Sequence, residues 1–98
     1  MIIVWGSVPT TSANRDQLLA ACHTHVARSR EEPGCIEHGA YIDSEDANRI
    51  VFFERWTDAA ALQAHFAVPG SQQFVQTLRE LAAAEPEMHI YTASEGMA

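Results

Sequence analysis

The chain has 98 residues, 47% of them hydrophobic, and its 13 acidic residues outnumber six arginines, so the formal net charge is −7 without any lysine. This length predicts one domain with a packed core. An acidic chain without a basic cluster suits neither nucleic acid nor an anionic membrane, so neither is expected as a partner. The absence of lysine excludes Schiff-base chemistry on a side-chain amine.

Cysteine usage and the N-terminal segment both bear on the compartment. Cys22 and Cys35 make neither a disulfide framework nor a Cys/His metal-binding spacing, so reduced thiols are expected. The N-terminal segment lacks the charged start of a signal peptide, and no stretch approaches the roughly 20 apolar residues of a membrane span. We therefore expect a cytoplasmic protein.

The first half of the chain predicts a strand, a helix and a second strand. Residues 2–8 form a short segment rich in β-branched residues, which favours a buried strand. Thr11 or Ser12 is placed to cap a helix over residues 13–30. A Glu-Pro-Gly turn at 32–34 ends that helix, and a strand over 35–43 follows. The apolar stripe of the helix contains Leu18, Leu19, Cys22 and Val26.

The second half predicts a strand, two short helices and a last strand. A polar turn at 44–48 precedes the strongest strand signal, over 49–56. Thr57 is placed to cap a helix that opens with Asp58 and ends at a Pro-Gly pair at 69–70. Ser71 is placed to cap a further helix, and residues 88–93 form the final strand.

The order β-α-β-β-α-α-β predicts an α+β, ferredoxin-like split βαβ fold with a four-stranded antiparallel sheet and helices on one face. Residues 1–94 form the expected single domain and 95–98 a C-terminal tail. Phe52 and Phe53 are adjacent in a strand and must point to opposite faces. The face without helices needs a cover, which predicts a homodimer through that face.

The short turn between the second and third strands allows a prediction of their register. Pairing Asp43 with Arg49 divides the neighbouring residues between two faces of the sheet. One face then holds Ala40 with Phe52, His38 with Glu54, and Ile36 with Trp56. The other holds Tyr41 with Val51, Gly39 with Phe53, and Glu37 with Arg55.

Four polar or aromatic residues, His38, Glu54, Trp56 and His65, are expected to line one cleft between sheet and helices. His38 with Glu54 is either a satisfied buried pair or a polar patch in a cavity. His65 borders the buried side of its helix, where it is either structural or catalytic. The remaining histidines, His23, His25 and His89, receive no role.

Motifs for common cofactors are missing from the sequence. It contains no GxGxxG, P-loop, HExxH or GxSxG segment, and it gives no signal for flavin, nicotinamide, haem or metal. From the residues alone, the prediction is a small dimeric α+β protein with an apolar pocket.

Two segments, EEPGCIEHGAYID and RIVFFERWTDAAALQAHFAVPGSQQF, resemble the antibiotic biosynthesis monooxygenase family, which includes small quinol monooxygenases. The resemblance covers about residues 1–92. It implies a dimeric ferredoxin-like α/β barrel. It also implies oxidation of a small aromatic quinol, phenol or anthrone-like polyketide by O₂, without flavin, haem or metal, in which the deprotonated substrate itself passes an electron to O₂.

The resemblance also implies roles for individual residues. His65, His38 and Glu54 are the expected catalytic residues, although His38 stands where members often have Tyr. Gly70 and Ser71 replace a second His and an aromatic residue. The first strand lacks the Asn of the haem-degrading branch, so haem degradation is not expected. Expected substrate contacts are Trp56, Phe52, Ile36, Leu62, Phe66 and Trp5.

Two other functions fit the same sequence. One is a non-catalytic small-molecule-binding or stress-response dimer, which would be stabilised by ligand without turnover. The other is isomerase or cyclase chemistry on the same scaffold, which would use His38 or His65 as a base and consume no oxygen.

Overall fold

A computed structural model describes residues 1–97 and contains four strands and three helices. The strands are β1 (Ile2–Pro9), β2 (Cys35–Asp43), β3 (Asp46–Trp56) and β4 (Glu87–Thr92). The helices are α1 (Arg15–Ser29), α2 (Ala59–Ala67) and α3 (Pro69–Leu81). All pairings are antiparallel in the order β2-β3-β1-β4. The predicted α+β, ferredoxin-like fold is confirmed.

The helices begin at other residues than predicted. Asp58 caps α2 by accepting a hydrogen bond from the Ala61 amide at 2.8 Å. Thr57, the predicted cap, instead donates its backbone N–H to the Gly34 carbonyl. Helix α3 begins at Pro69, because a proline needs no amide hydrogen bond in the first turn of a helix.

The predicted register of β2 and β3 is confirmed in its centre and wrong at both ends. Residues 37–41 pair with 51–55 as expected, including His38 with Glu54. A bulge between Cys35 and Glu37 pairs Cys35 with Trp56, which leaves Ile36 as the extra residue, 44% exposed. A second irregularity, between Ile42 and Asp43, pairs Asp43 with Asp46 instead of Arg49.

The helices cover one face of the sheet and bury two clusters against it. Val4 and Trp56 on the strands are almost fully buried, because alternate residues of each strand point toward the helices. One cluster contains Val8, Leu18, Cys22, Ile50, Phe52 and Leu78. The other contains Ile2, Val4, Trp56 and Leu62.

The opposite face, called the open face below, carries aromatic residues without a helix over them. Trp5 pairs with Phe53 on β3 and with His89 on β4, so the three side chains share this face. The Trp5 and His89 ring centroids are 5.7 Å apart. Tyr41 and Tyr91, each 53% exposed, lie on the same face by strand alternation.

None of the helices within residues 1–97 combines the length and the apolar character needed to cross a bilayer.

Candidate functional site

Three histidines meet under the helix-covered face of the sheet, and we call them the histidine cluster. His25 on α1, His38 on β2 and His65 on α2 are all buried. Their ring centroids are 5.2–5.5 Å apart in all three pairs. Titratable side chains from three separate elements therefore occupy one small volume, as is common at functional sites.

Local sequence patterns place each ring of the cluster. His25 lies seven residues after Leu18 and three after Cys22, so it falls on the buried stripe of α1. His65 lies three residues after Leu62 on the buried side of α2. His38 alternates with the residues of β2 that face the open side of the sheet.

Glu54 connects the cluster to the sheet. The Trp56 indole Nε1 donates a hydrogen bond to Glu54 Oε1 at 2.9 Å. His38 Nε2 lies 3.3 Å from the same oxygen, but without the alignment of a hydrogen bond. Burial raises the pKa of Glu54, but nearby His38, the Trp56 donor and His65 outweigh it and hold that pKa below its ordinary value. Glu54 is therefore a buried carboxylate.

A second carboxylate, Glu32, lies beside His65. Glu32 Oε1 is 2.9 Å from His65 Nδ1, and the Ser71 hydroxyl is 3.5 Å from the same nitrogen. A carboxylate accepts hydrogen bonds and cannot donate them, so Nδ1 carries the proton. The Nε2 lone pair of His65 is then free for another proton or ligand.

Arg28 holds this network together. Its guanidinium donates to Glu32 Oε2 at 2.8 Å, to His25 Nδ1 at 2.6 Å and to Ser71 Oγ at 3.3 Å. Arginine is only a donor, so His25 Nδ1 accepts and the ring is neutral. Burial lowers the pKa of His25 to about 3, and His38, His65 and Arg28 add to that effect.

A cavity of about 200 Å³ lies between the sheet and α3. Its polar wall contains His25, Glu54 and His65, and its aromatic wall contains Phe52, Phe66 and Phe74. Ligand pockets usually measure about 300–1,000 Å³. This cavity is smaller than that range, so it suits a small molecule better than a large one.

The cavity brings together part of the predicted site. His65, Glu54, Phe52 and Phe66 line it. His38 is buried behind its wall, next to Glu54. Other predicted contacts, Trp56 and Leu62, belong to the apolar cluster beside His65.

Like Trp56 and Leu62, the predicted substrate contacts Ile36 and Trp5 do not line this cavity. Ile36 is the bulged residue of β2 and lies half-exposed in a separate surface depression. Trp5 lies on the open face, because its neighbour Val4 points to the helices. Strand alternation and one bulge thus place both residues away from this cavity.

Sequence reasoning missed His25, Arg28 and Glu32. The spacing of His25 from Leu18 and Cys22 could have revealed it, since that spacing is the buried stripe of α1. Arg28 is explained by Gly70: a Cβ at residue 70 would lie 2.7 Å from Arg28 Nε. The glycine thus leaves room for the Arg28 side chain.

Comparisons with known proteins give this geometry a context. Residues 1–85 match the family described as "Antibiotic biosynthesis monooxygenase". An uncharacterised protein of Synechocystis is 35% identical over 94 residues, which cover 96% of this chain and 64% of that protein. This chain thus spans less than two thirds of that relative. YcnE of Bacillus subtilis, provisionally named a monooxygenase, is 27% identical over 86% of this chain and 88% of its own.

Solved structures share the fold. A crystal structure from Deinococcus radiodurans, provisionally named an antibiotic biosynthesis monooxygenase, superposes with a TM-score of 0.94 at 22% identity, over 100% of this chain and 97% of that one. A Bacteroides thetaiotaomicron protein of unknown function gives 0.87 at 27% identity, over 92% and 94%.

Proposed function

We propose that this chain, which belongs to the antibiotic biosynthesis monooxygenase family, oxidises a small aromatic phenol, quinol or anthrone with O₂, with His65 as the base. The observation that carries the proposal is the Glu32–His65 pair at the wall of an aromatic cavity. A carboxylate on Nδ1 fixes the tautomer whose Nε2 accepts a proton.

The proposed reaction begins with proton transfer. His65 Nε2 takes a phenolic proton, or for an anthrone a proton from the CH₂ carbon that is oxidised, while Glu32 stabilises the imidazolium through Nδ1. The resulting aromatic anion is electron-rich and passes an electron to O₂. For an anthrone, the substrate carbon loses two hydrogens and gains one oxygen of O₂ as a carbonyl, and the second oxygen leaves as water with those two hydrogens. Electrons and atoms then balance without a further reductant.

The rest of the cavity supports this chemistry. Phe52, Phe66 and Phe74 offer ring faces and edges to a flat substrate and exclude water around the anion. Glu54 is the second polar group at the wall and can accept a hydrogen bond from a substrate hydroxyl. His38, buried behind Glu54, acts as a positioning residue through it.

Oxygen consumption tests the proposal. Monocyclic quinols, naphthols and anthrones are supplied as a panel, in buffer that contains a metal chelator, and O₂ uptake is followed with an electrode. We expect uptake well above the uncatalysed rate for at least one compound. His65→Gln should lower it by about 100-fold or more, since general bases contribute roughly 10²–10⁴.

His23→Gln is the matched control, because His23 is an exposed histidine on α1 outside the cavity. Its activity should equal that of the unmodified chain. If no compound in the panel is oxidised faster than in buffer, the proposal fails. Thermal stabilisation by a panel compound without O₂ uptake would instead support a binding protein.

A further inference from the structure

We propose that His25, His38 and His65 form a binding site for one divalent transition-metal ion of the zinc class, and that its occupancy removes the base. The first observation is convergence. One candidate ligand atom from each ring lies within 4.8 Å of the others, and all three residues are buried. Imidazole nitrogen is a preferred ligand of zinc, copper, nickel and iron.

His38 supplies the second observation. It is only 2% exposed. Among residues 1–97 its Nδ1 has no hydrogen-bond partner, and its Nε2 has only the poorly aligned 3.3 Å contact with Glu54 Oε1. Buried polar atoms are almost always partnered, since leaving one unsatisfied costs its full desolvation penalty. A bound cation would satisfy one nitrogen of His38 directly.

Carboxylates beside the rings favour a cation. Glu32 accepts from His65 Nδ1, which is the usual way in which a carboxylate orients a metal-ligating histidine. Glu54 Oε1 lies 3.3 Å from His38 Nε2. The guanidinium of Arg28 contacts Glu32 and His25, and that of Arg30 donates to the His38 carbonyl at 3.0 Å, so the two carboxylates are the anionic groups available to balance an added divalent ion.

Binding requires two local adjustments. Ligand nitrogens at a tetrahedral zinc lie about 3.3 Å apart, given bonds of 2.0–2.1 Å, so the rings must close from their present spread. If His25 ligates through Nε2, Arg28 must also release its Nδ1, so that a proton can move there. Glu32 and Ser71 are the other two partners that keep Arg28 in place.

The site would keep an open coordination position. His25 and His65 line the cavity, so a fourth position faces the space where a small molecule could enter. Three protein ligands with one open position are typical of reactive rather than structural zinc sites. Since His65 Nε2 cannot hold both a metal and a proton, zinc should inhibit the proposed oxidation.

Titration of the protein, freed of metal by chelation, with Co²⁺ and with Zn²⁺ tests the site directly. We expect one ion per chain by calorimetry and intense visible absorption bands of tetrahedral Co²⁺. His38→Gln and His65→Gln should each weaken binding by tenfold or more. Glu32→Gln should weaken it by about 10- to 100-fold, as is usual for a residue that orients a ligand.

His23→Gln and His89→Gln are the matched controls, since both residues are exposed histidines outside the cluster. Their affinity for Co²⁺ should be unchanged. The proposal is overturned if the unmodified chain binds neither ion, or if the cluster variants bind Co²⁺ as tightly as the unmodified chain.

If the cluster variants fail to fold, NMR of the histidine rings in the unmodified chain decides the matter. Zn²⁺ should shift the ring signals of the three buried histidines; shifts confined to His23 and His89 would overturn the proposal. These titrations contain no aromatic substrate, so their outcome is independent of the oxidation proposed above. If both hold, added Zn²⁺ should abolish O₂ uptake and a chelator should restore it.

Discussion

Glu32 contacts His65 directly and connects it to Arg28. One oxygen of its carboxylate lies 2.9 Å from His65 Nδ1. The other accepts a hydrogen bond from the Arg28 guanidinium at 2.8 Å. Glu32 comes from the loop after α1, whereas His65 lies on α2. The proposed base is therefore oriented by a residue 33 positions away in the chain.

Glu32→Gln tests this positioning role. The amide can still accept a hydrogen bond, but it is neutral and stabilises an imidazolium less well than a carboxylate. We expect kcat of the proposed oxidation to fall about tenfold or more while KM stays nearly constant. Glu31→Gln, at an exposed neighbouring position, is the control. Equal kcat values for the two variants would exclude a positioning role for Glu32.

Thiol reactivity tests the packing of α1. Burial raises the pKa of the Cys22 thiol to about 12, and burial together with Glu54 and Glu32 raises the pKa of Cys35. The thiolate is the reactive form, so at pH 8 the native protein should react with a thiol reagent far more slowly than free cysteine. Both thiols should react at the ordinary rate in denaturant. Rapid labelling of Cys22 in the native protein would contradict its burial.

Sequence reasoning could identify His65 and Glu54 as residues of one cavity, because helix and strand periodicity place them on the buried side. It could not identify Glu32 and Arg28 as their partners. Hydrogen bonds between the loop after α1 and α2 depend on how the helices dock, which periodicity does not encode. His25 was accessible to the same reasoning and was overlooked.

At the scale of elements, the turn before β2 determines how α2 meets the sheet. Gly34 has φ 83°, a conformation that favours glycine. A Cβ there would lie 2.5 Å from Ala61 Cβ and 2.8 Å from Thr57 Oγ1. The Glu-Pro-Gly turn is therefore in close contact with the start of α2, the helix that carries His65.

Gly34→Ala should lower the free energy of unfolding by about 2 kcal/mol or more, from backbone strain and the clash with α2. Urea denaturation followed by circular dichroism measures the change. Gly96→Ala is the control, since a Cβ there meets no atom within 4 Å, and its effect should stay below about 0.5 kcal/mol. Equal stabilities of the two variants would show that the turn does not constrain α2.

The strand elements were largely predictable, while their ends were not. Residues 37–41 and 51–55 pair as the short turn and the apolar pattern indicated. The side-chain pattern does not indicate the bulge between Cys35 and Glu37. The pattern therefore predicts that Ile36 pairs with Trp56, whereas Cys35 does so in the structure. The predicted and observed first residues of the helices differ because several neighbouring Ser, Thr and Asp residues could each act as a cap.

At the scale of the whole molecule, the helices within residues 1–97 cover one face of the sheet and leave the open face uncovered. Phe53, Trp5, Tyr41 and Tyr91 lie on this face. Residues that alternate with these along the strands, such as Phe52, point into the helix-covered core instead. The division into two faces was predicted from the adjacent phenylalanines, and we propose that a second copy covers the open face.

Light scattering coupled to size-exclusion chromatography tests this assembly. We expect twice the mass of one chain at micromolar concentrations. Phe53→Glu should give a monomer, because it places one unpaired charge from each chain in an apolar interface. Gln76→Glu, at an exposed position of α3, should leave the mass unchanged. A monomeric unmodified chain, or a Phe53→Glu dimer, would contradict the proposal.

The most direct test of the central claim is the fate of isotopically labelled oxygen. A compound of the quinol and anthrone panel that the protein oxidises is incubated with it under ¹⁸O₂ in chelator-containing buffer. The mass of the product is then measured by mass spectrometry. The account predicts one ¹⁸O atom per product molecule, at a rate that His65→Gln lowers by about 100-fold. A product without ¹⁸O, or labelling that is unaffected by His65→Gln, would contradict it.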